Sequence, residues 1–198
     1  MSAIIQQSNK LAVIFPGIGY HKDKPLLYYA ARLAMNLGYD VISIEYHDMP
    51  QKIRGNAEMM KKAAGLAYAQ SEEQLEQVRF GDFEDVLFVG KSIGTVALAK
   101  YAADHQIKAG QIWYTPVETT LTFGSQNAIA FIGDADPWSD VDTVINMAKV
   151  QGIEIYAYPG CNHSLECDNV DSNIANLRDV MQKTESFITG RENIDEKI

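Results

Sequence analysis

Ser92 has the setting in this sequence that most clearly suggests chemistry. It lies in Gly90-Lys91-Ser92-Ile93-Gly94, between an apolar run of strand length at 86–89 and a helix-forming segment that begins at 93. A serine at the tip of such a strand-to-helix turn stands clear of the sheet, and the flanking glycines let strand and helix approach closely. A turn with a capping serine is the structural alternative, but the strand before and the helix after favour a nucleophile.

A serine hydroxyl needs an adjacent base, and the base needs a carboxylate that orients it. Of the four histidines, His163 is the one that lies just beyond a predicted strand in the last loop of the sheet. Asp136 follows the preceding predicted strand, directly before Pro137, and Asp134 in the same turn competes for the role of the acid. The order Ser92, Asp136, His163 is a serine-acid-histidine order. The sequence therefore predicts that these three residues are catalytic.

Two backbone N–H groups are needed to hold the oxyanion of a tetrahedral intermediate. The amide of Ile93, directly after the nucleophile, is the first candidate. The second should come from the loop Pro16-Gly17-Ile18-Gly19 after the first strand, where two glycines let the backbone approach a substrate oxygen. We expect Ile18 to supply this amide, with Gly17 as the alternative.

Strands and helices alternate along the chain. A parallel sheet with crossover helices follows from such an order, and ligands of open sheets bind beyond the carboxyl ends of the strands. We predict an α/β fold with a mostly parallel twisted sheet and helices on both faces. It is a single domain, 1–198, with its core at about 11–188 and a polar C-terminal tail at 189–198. The predicted strands are 11–15, 41–46, 86–89, 111–115, 128–132 and 154–158, and the helices are 25–37, 55–79 (with a break or bend at Gly65), 93–105, 141–150 and 169–188.

The composition and the absence of certain motifs argue against several classes of function. The net charge of -9 and the pI near 4.9 disfavour binding to nucleic acid. The first ten residues lack a secretory signal, no apolar run spans a membrane, and Cys161 and Cys167 are expected to be free thiols. We therefore expect a cytoplasmic protein with no membrane partner. No metal cluster, P-loop or dinucleotide motif is present in the sequence, which implies no metal and no cofactor; a homodimer is left open.

The sequence resembles a small α/β-hydrolase of the dienelactone-hydrolase-like or short serine-esterase type. The resemblance covers about 11–188. It implies that the acid lies three residues after the strand-end glycine and before a proline, which favours Asp136 over Asp134. The nucleophile is serine where a dienelactone hydrolase carries cysteine, and the 116–127 segment is too short for a helical lid. The motifs that carry the resemblance are Phe15-Pro16-Gly17-Ile18-Gly19, Gly90-Lys91-Ser92-Ile93-Gly94, Gly133-Asp134-Ala135-Asp136-Pro137 and Asn162-His163-Ser164-Leu165-Glu166.

The resemblance implies a serine hydrolase that cleaves small carboxylic esters through an acyl-enzyme. An acyl thioesterase with the same triad and a non-catalytic hydrolase-fold binding module are the alternatives. We expect Lys91 to point to solvent or to a nearby carboxylate, and Cys161 to be structural. Without a lid, the substrate pocket should be shallow and open, and its expected lining is Gly17, Tyr20, Thr115, Val117, Trp138 and Leu165.

Overall fold

Six short apolar segments form one sheet in which every pair of neighbouring strands is parallel. The computed structural model describes residues 8–125 and 127–195. The strand order is β2-β1-β3-β4-β5-β6. The strands are β1 (Lys10–Phe15), β2 (Asp40–Ser43), β3 (Asp85–Lys91), β4 (Gly110–Tyr114), β5 (Ala128–Gly133) and β6 (Glu154–Tyr158).

Helices cover both faces of this sheet, as the alternating sequence predicts. They are α1 (Pro25–Asn36), α2 (Ala57–Leu75), α3 (Ile93–Asp104), α4 (Glu118–Leu121), α5 (Val141–Val150) and α6 (Val170–Asp195), with a 3₁₀ turn at Phe80–Asp82.

Alternation along the strands divides the core into two layers. Val13 and Phe88 point to one face, where they join buried residues of α2, α3 and α5. Ile14 and Val89 point to the other face, where they join buried residues of α1 and α6. Because successive strand side chains point to opposite faces, each apolar strand contributes side chains to both core layers. The predicted α/β architecture is confirmed.

The structure differs from the sequence prediction at the ends of several elements, such as β2, which ends at Ser43 and not at 46, and in three further places. Helix α2 continues through Gly65, which is exposed, so the missing side chain leaves no gap in the core. A one-turn helix, α4, occupies part of the predicted 116–127 loop. Helix α6 continues through 189–195, where a polar tail was predicted, because Ile188 is fully buried and Arg191 pairs with Asp85 at 2.5 Å.

Some sequence predictions fall outside the described residues. These are the first seven residues, in which we expect no secretory signal, position 126 in the predicted loop, and the last three residues of the predicted tail. Among the helices of the described ranges, none combines the length and the apolar character needed to cross a membrane.

Candidate active site

The turn between β3 and α3 holds Ser92 in a conformation that non-glycine residues rarely adopt. Its φ of 55° and ψ of -121° lie in a sparsely populated region. Hydrogen bonds fix this conformation on both sides: the Ser92 amide donates to the Tyr114 carbonyl at 2.9 Å, and the Ser92 carbonyl accepts from the Thr95 amide at 2.8 Å. Strain of this kind persists where the surrounding structure holds it, and it clusters at functional sites.

Two glycines allow the turn to be this tight. A Cβ atom on Gly90 would lie 2.3 Å from a methyl carbon of Leu98. A Cβ atom on Gly94 would lie 2.2 Å from the carbonyl oxygen of Phe15, at the end of β1. At Gly94 the contact is with backbone, so a side chain there would push α3 away from β1 and move Ser92, whereas a side chain at Gly90 would first displace that of Leu98.

The structure brings the three predicted catalytic side chains together. His163 Nε2 lies 2.7 Å from Ser92 Oγ, and His163 Nδ1 lies 2.6 Å from an oxygen of Asp136. The side chain of Asp136 is fully buried and that of His163 is 15% exposed. The second Asp136 oxygen accepts a hydrogen bond from the Trp138 amide at 2.9 Å, and the Trp138 ring stacks on the imidazole. This arrangement can pass a proton from the hydroxyl to the imidazole while the carboxylate fixes the ring.

Asp134, the alternative acid, has a different partner. Its carboxylate accepts a hydrogen bond from the Gly160 amide at 2.6 Å and so ties the loop after β5 to the loop after β6. The two loops meet closely, because a Cβ atom on Gly133 would lie 2.1 Å from the carbonyl oxygen of Cys161. Asp134 thus supports the loop that carries His163, and the imidazole itself contacts Asp136.

Burial lowers the pKa of His163 below its usual 6.5, and the charge of Lys91 lowers this pKa further. The hydrogen bond to Asp136 and its charge oppose both effects, but burial is the largest cause. His163 is therefore neutral at pH 7, which is the form that a general base requires.

The backbone near Ser92 offers two amides for an oxyanion. Ile93 is the first residue of α3, where an N–H group has no partner inside the helix. In the loop after β1, the Gly17 amide is already bonded to the Tyr20 carbonyl at 3.0 Å. The Ile18 amide has no acceptor among the described residues. Of the two residues predicted for this role on that loop, Ile18 therefore keeps an available amide and Gly17 does not.

A cavity of about 200 Å³ opens above these groups. Three of the six predicted pocket residues, Tyr20, Val117 and Trp138, line it together with Ser92 and His163. Ile18 and Ile93 also line it, so both candidate oxyanion residues border the same space.

The other three predicted pocket residues lie elsewhere, which corrects the sequence prediction. Gly17 lines a neighbouring cavity of about 620 Å³ between the loops after β1 and β2. Thr115 is fully buried, and its backbone at φ 47° turns the chain away at the end of β4. Leu165 lines a separate apolar groove of about 160 Å³ between α1 and α6, beside Leu26.

Lys91 does not point to solvent or pair with a carboxylate, and that prediction is wrong. It is 1% exposed and lines the cavity, with Nζ at 5.1 Å from the centre of the Tyr20 ring. Strand β3 extends to Lys91, so two-residue alternation puts its side chain on the same face as Leu87 and Val89. That alternation was the sequence signal that could have predicted its burial.

Sequence reasoning also missed Ile53 and Met60, which line the cavity from the segment before α2 and from α2 itself. Met60 lies in the helix-rich stretch and Ile53 just before it, and neither belongs to a motif, so no local sequence signal marks them. Cys161 is a buried thiol and Cys167 is half-buried; neither forms a disulfide. Within residues 8–125 and 127–195, no group of three or more His, Cys, Asp or Glu side chains is arranged to hold a metal ion.

Comparison with known proteins identifies structures that share this fold. No family model and no curated protein sequence matches the chain. Solved structures do match over nearly its whole length. An α/β serine hydrolase without a lid from Xanthomonas campestris has a TM-score of 0.66 at 15% identity, covering 95% of this chain and 84% of that one. The chain has an α/β-hydrolase fold.

Two further structures with the α/β-hydrolase fold are similar to this chain. Est1E from Butyrivibrio proteoclasticus has a TM-score of 0.68 at 11% identity, covering 94% of this chain and 90% of that one. The esterase Pf2001 from Pyrococcus furiosus has a TM-score of 0.64 at 10% identity, covering 93% and 84%. At such identities the likeness establishes the α/β-hydrolase fold, and the chemistry has to be argued from the site.

Proposed function

We propose that this protein is a serine hydrolase that cleaves small carboxylic esters through a Ser-His-Asp triad. One observation carries the proposal: the imidazole of His163 lies within hydrogen-bond distance of both Ser92 Oγ, at 2.7 Å, and Asp136, at 2.6 Å. The strained backbone of Ser92 and the neutral imidazole support the same reading. Structural neighbours that include a serine hydrolase and an esterase add support at the level of the fold.

The mechanism follows from these contacts. His163 Nε2 takes the hydroxyl proton while Ser92 Oγ attacks the ester carbonyl carbon, and Asp136 stabilises the imidazolium. The amides of Ile93 and Ile18 donate to the oxyanion of the tetrahedral intermediate. His163 then gives its proton to the leaving alcohol, and the acyl group stays on Ser92. Water, activated by the same imidazole, attacks the acyl-enzyme and releases the carboxylic acid.

The size and lining of the cavity favour short substrates. A volume of about 200 Å³ is below the usual range of drug-sized ligand sites, roughly 300–1,000 Å³. Ile53, Met60 and Val117 make much of the wall apolar. Short esters of a few carbons on the acyl side therefore fit the space better than long-chain lipids or peptides. We also propose a cytoplasmic location, because Cys161 and Cys167 are free thiols, the state expected in a reducing compartment.

Labelling with a fluorophosphonate probe tests the proposal. We expect stoichiometric modification of Ser92, read by peptide mass spectrometry, and its loss in Ser92→Ala. Ser186→Ala, on the exposed side of α6, is the matched control and should label like the wild-type protein. Failure of the folded wild-type protein to label would favour a hydrolase-fold binding module without turnover.

A substrate panel separates the two catalytic alternatives. We expect p-nitrophenyl esters of two to four acyl carbons to give a higher kcat/KM than longer ones, because the cavity is small. Acyl-CoA thioesters of equal chain length should be poorer substrates. If the thioesters give the higher kcat/KM at every chain length, the protein is an acyl thioesterase with the same triad.

A further inference from the structure

Lys91 is a charged side chain inside the cavity that the proposed mechanism does not use. It is 1% exposed, directly precedes Ser92 and lines the same space as His163. Its Nζ lies over the face of Tyr20, 5.1 Å from the ring centre. Within the described part of the chain, no oxygen accepts a hydrogen bond from this nitrogen and no carboxylate forms an ion pair with it. A buried lysine in a functional cavity is thus left without a hydrogen-bonding partner.

The carboxylates within electrostatic reach of Lys91 do not serve as its partner. Asp136 is engaged by His163 and by the Trp138 amide. Glu166 is exposed and makes no ion pair with Lys91. The remaining wall near the nucleophile is largely apolar. Since a buried charge without a partner is costly, the site has an ammonium group that a bound ligand could satisfy.

We propose that Lys91 is a specificity-determining residue, and that the cavity takes esters which carry a carboxylate group bound by the Lys91 ammonium. The inference rests on the proposed function, because it names the class of ester. The net charge of -9 gives no long-range attraction for such a substrate. The selection acts at short range, where a desolvated ammonium and carboxylate form a strong charge-assisted hydrogen bond.

The protonation state of Lys91 agrees with this role. Burial lowers the pKa of Lys91 to about 7, while the negative charges of Asp136 and Glu166 act to raise it. The other groups that face it are the imidazole of His163 and the Tyr20 ring. A carboxylate in the cavity favours the ammonium form, so its binding raises this pKa. Preference for an anionic ester should therefore weaken as the pH rises above 7, where the free enzyme loses the charge.

Matched pairs of esters test the inference. Monomethyl succinate and methyl butyrate differ by a carboxylate in place of a methyl group on the acyl side. The pair 3-acetoxybenzoate and 3-methylphenyl acetate makes the same exchange on the alcohol side. We expect the anionic member of at least one pair to have a kcat/KM more than tenfold higher at pH 6.5, and the pair that responds identifies the half of the ester that meets Lys91.

Three variants make the test specific. Lys91→Met, which keeps an unbranched side chain one heavy atom shorter and removes the charge, should reduce the ratio to about one. Lys149→Met, an exposed lysine of α5, should keep the wild-type ratio. Glu166→Gln should raise the ratio, because it removes a negative charge that competes with the substrate. A lower ratio in Glu166→Gln would make Glu166 the partner of Lys91 in solution and would overturn the inference.

The two proposals fail in different ways. A wild-type ratio near or below one in both pairs, with turnover that depends on Ser92, overturns the carboxylate preference and leaves the esterase. The inference also fails if the ratio persists in Lys91→Met, or if it stays constant between pH 6 and 9, where the carboxylate of each probe remains ionised. Absence of both Ser92 labelling and turnover of any ester overturns the proposed function itself.

Discussion

Replacing Lys91 by methionine should make the protein more stable at neutral and mildly acidic pH. The lysine is 1% exposed, and burial lowers its pKa from the usual 10.5 to about 7. Methionine preserves the unbranched stem and removes the group whose charge is hard to bury. The gain in stability should therefore be largest at the pH values where the Lys91 amine of the wild-type protein is protonated.

The pKa values set both the size and the pH range of the effect. Each pKa unit corresponds to about 1.4 kcal/mol, so a fall from 10.5 to about 7 is a cost of about 5 kcal/mol when the amine is charged in the unfolded chain. Below pH 7 this cost is fully present. Between pH 7 and 10.5 the unfolded chain binds more protons than the folded one, so wild-type stability rises with pH by up to about 1.4 kcal/mol per unit. Against a typical total of about 5–15 kcal/mol, this is a large effect.

Urea denaturation at pH 6, 8 and 10, followed by circular dichroism, measures this difference directly. Lys91→Met should exceed the wild-type free energy of unfolding by about 5 kcal/mol at pH 6, by about 3 kcal/mol at pH 8, and by less than about 1 kcal/mol at pH 10. Lys149→Met should not show this trend. A variant less stable than wild type at pH 6, or an advantage that does not shrink as the pH rises, would refute the burial argument.

Three further predictions concern the turn and the triad. Asp136→Asn should lower kcat by about 10⁴, because the imidazole is held in the wrong tautomer, while Asp134→Asn should cost less than tenfold; the reverse order in steady-state kinetics would assign the acid to Asp134. In the wild-type protein, the acidic limb of the pH profile of kcat/KM should have its midpoint below pH 6.5, the usual pKa of histidine, because His163 must be neutral. In Lys91→Met this acidic limb should move to higher pH, because the charge that lowers the pKa of His163 is removed. An unmoved limb would exclude electrostatic coupling between the two residues. Gly94→Ala should destabilise the fold by at least about 1–3 kcal/mol in thermal melts, because its Cβ atom would lie 2.2 Å from a backbone oxygen of β1; a melt like that of the wild type would mean that α3 shifts freely.

Much of the fold could be predicted from short-range patterns. Five-residue apolar runs such as Leu11–Phe15 suit strands buried on both faces, and they recur between segments of helical composition. The bounds of α5 and β6 match the sequence prediction residue for residue. The end of α6 was missed because Arg191 is held by Asp85, a residue far away in sequence, and local polarity gives no sign of such a partner.

The candidate site was likewise predictable from the sequence only in part. Ser92, Asp136 and His163 could be named from the sequence because each lies in the turn or loop that follows a strand, and the carboxyl ends of parallel strands meet at one edge of a sheet. The choice between Asp136 and Asp134 needed the structure. Two residues apart in one turn, they point to different partners, the imidazole and the Gly160 amide.

The residues that line the cavity were the hardest feature to predict from the sequence. Thr115 and Leu165 lie close to Ser92 and His163 along the chain but do not line the cavity, because Thr115 is fully buried and Leu165 lines the groove between α1 and α6. Ile53 and Met60 reach the cavity from a distant segment, because α2 packs on the same sheet face as α3.

By itself, the sequence determined the order of strands and helices, the tight turn at Ser92 and the set of polar residues at the strand ends. These depend on periodicity and on glycine spacing, which act over a few residues. Tertiary structure alone decided that Lys91 lies in the cavity without a hydrogen-bonding partner and that the carboxylate of Asp136 meets the imidazole. Both depend on which surfaces the folded sheet and its helices bring into contact, and for Lys91 the resulting burial lowers the pKa of the amine.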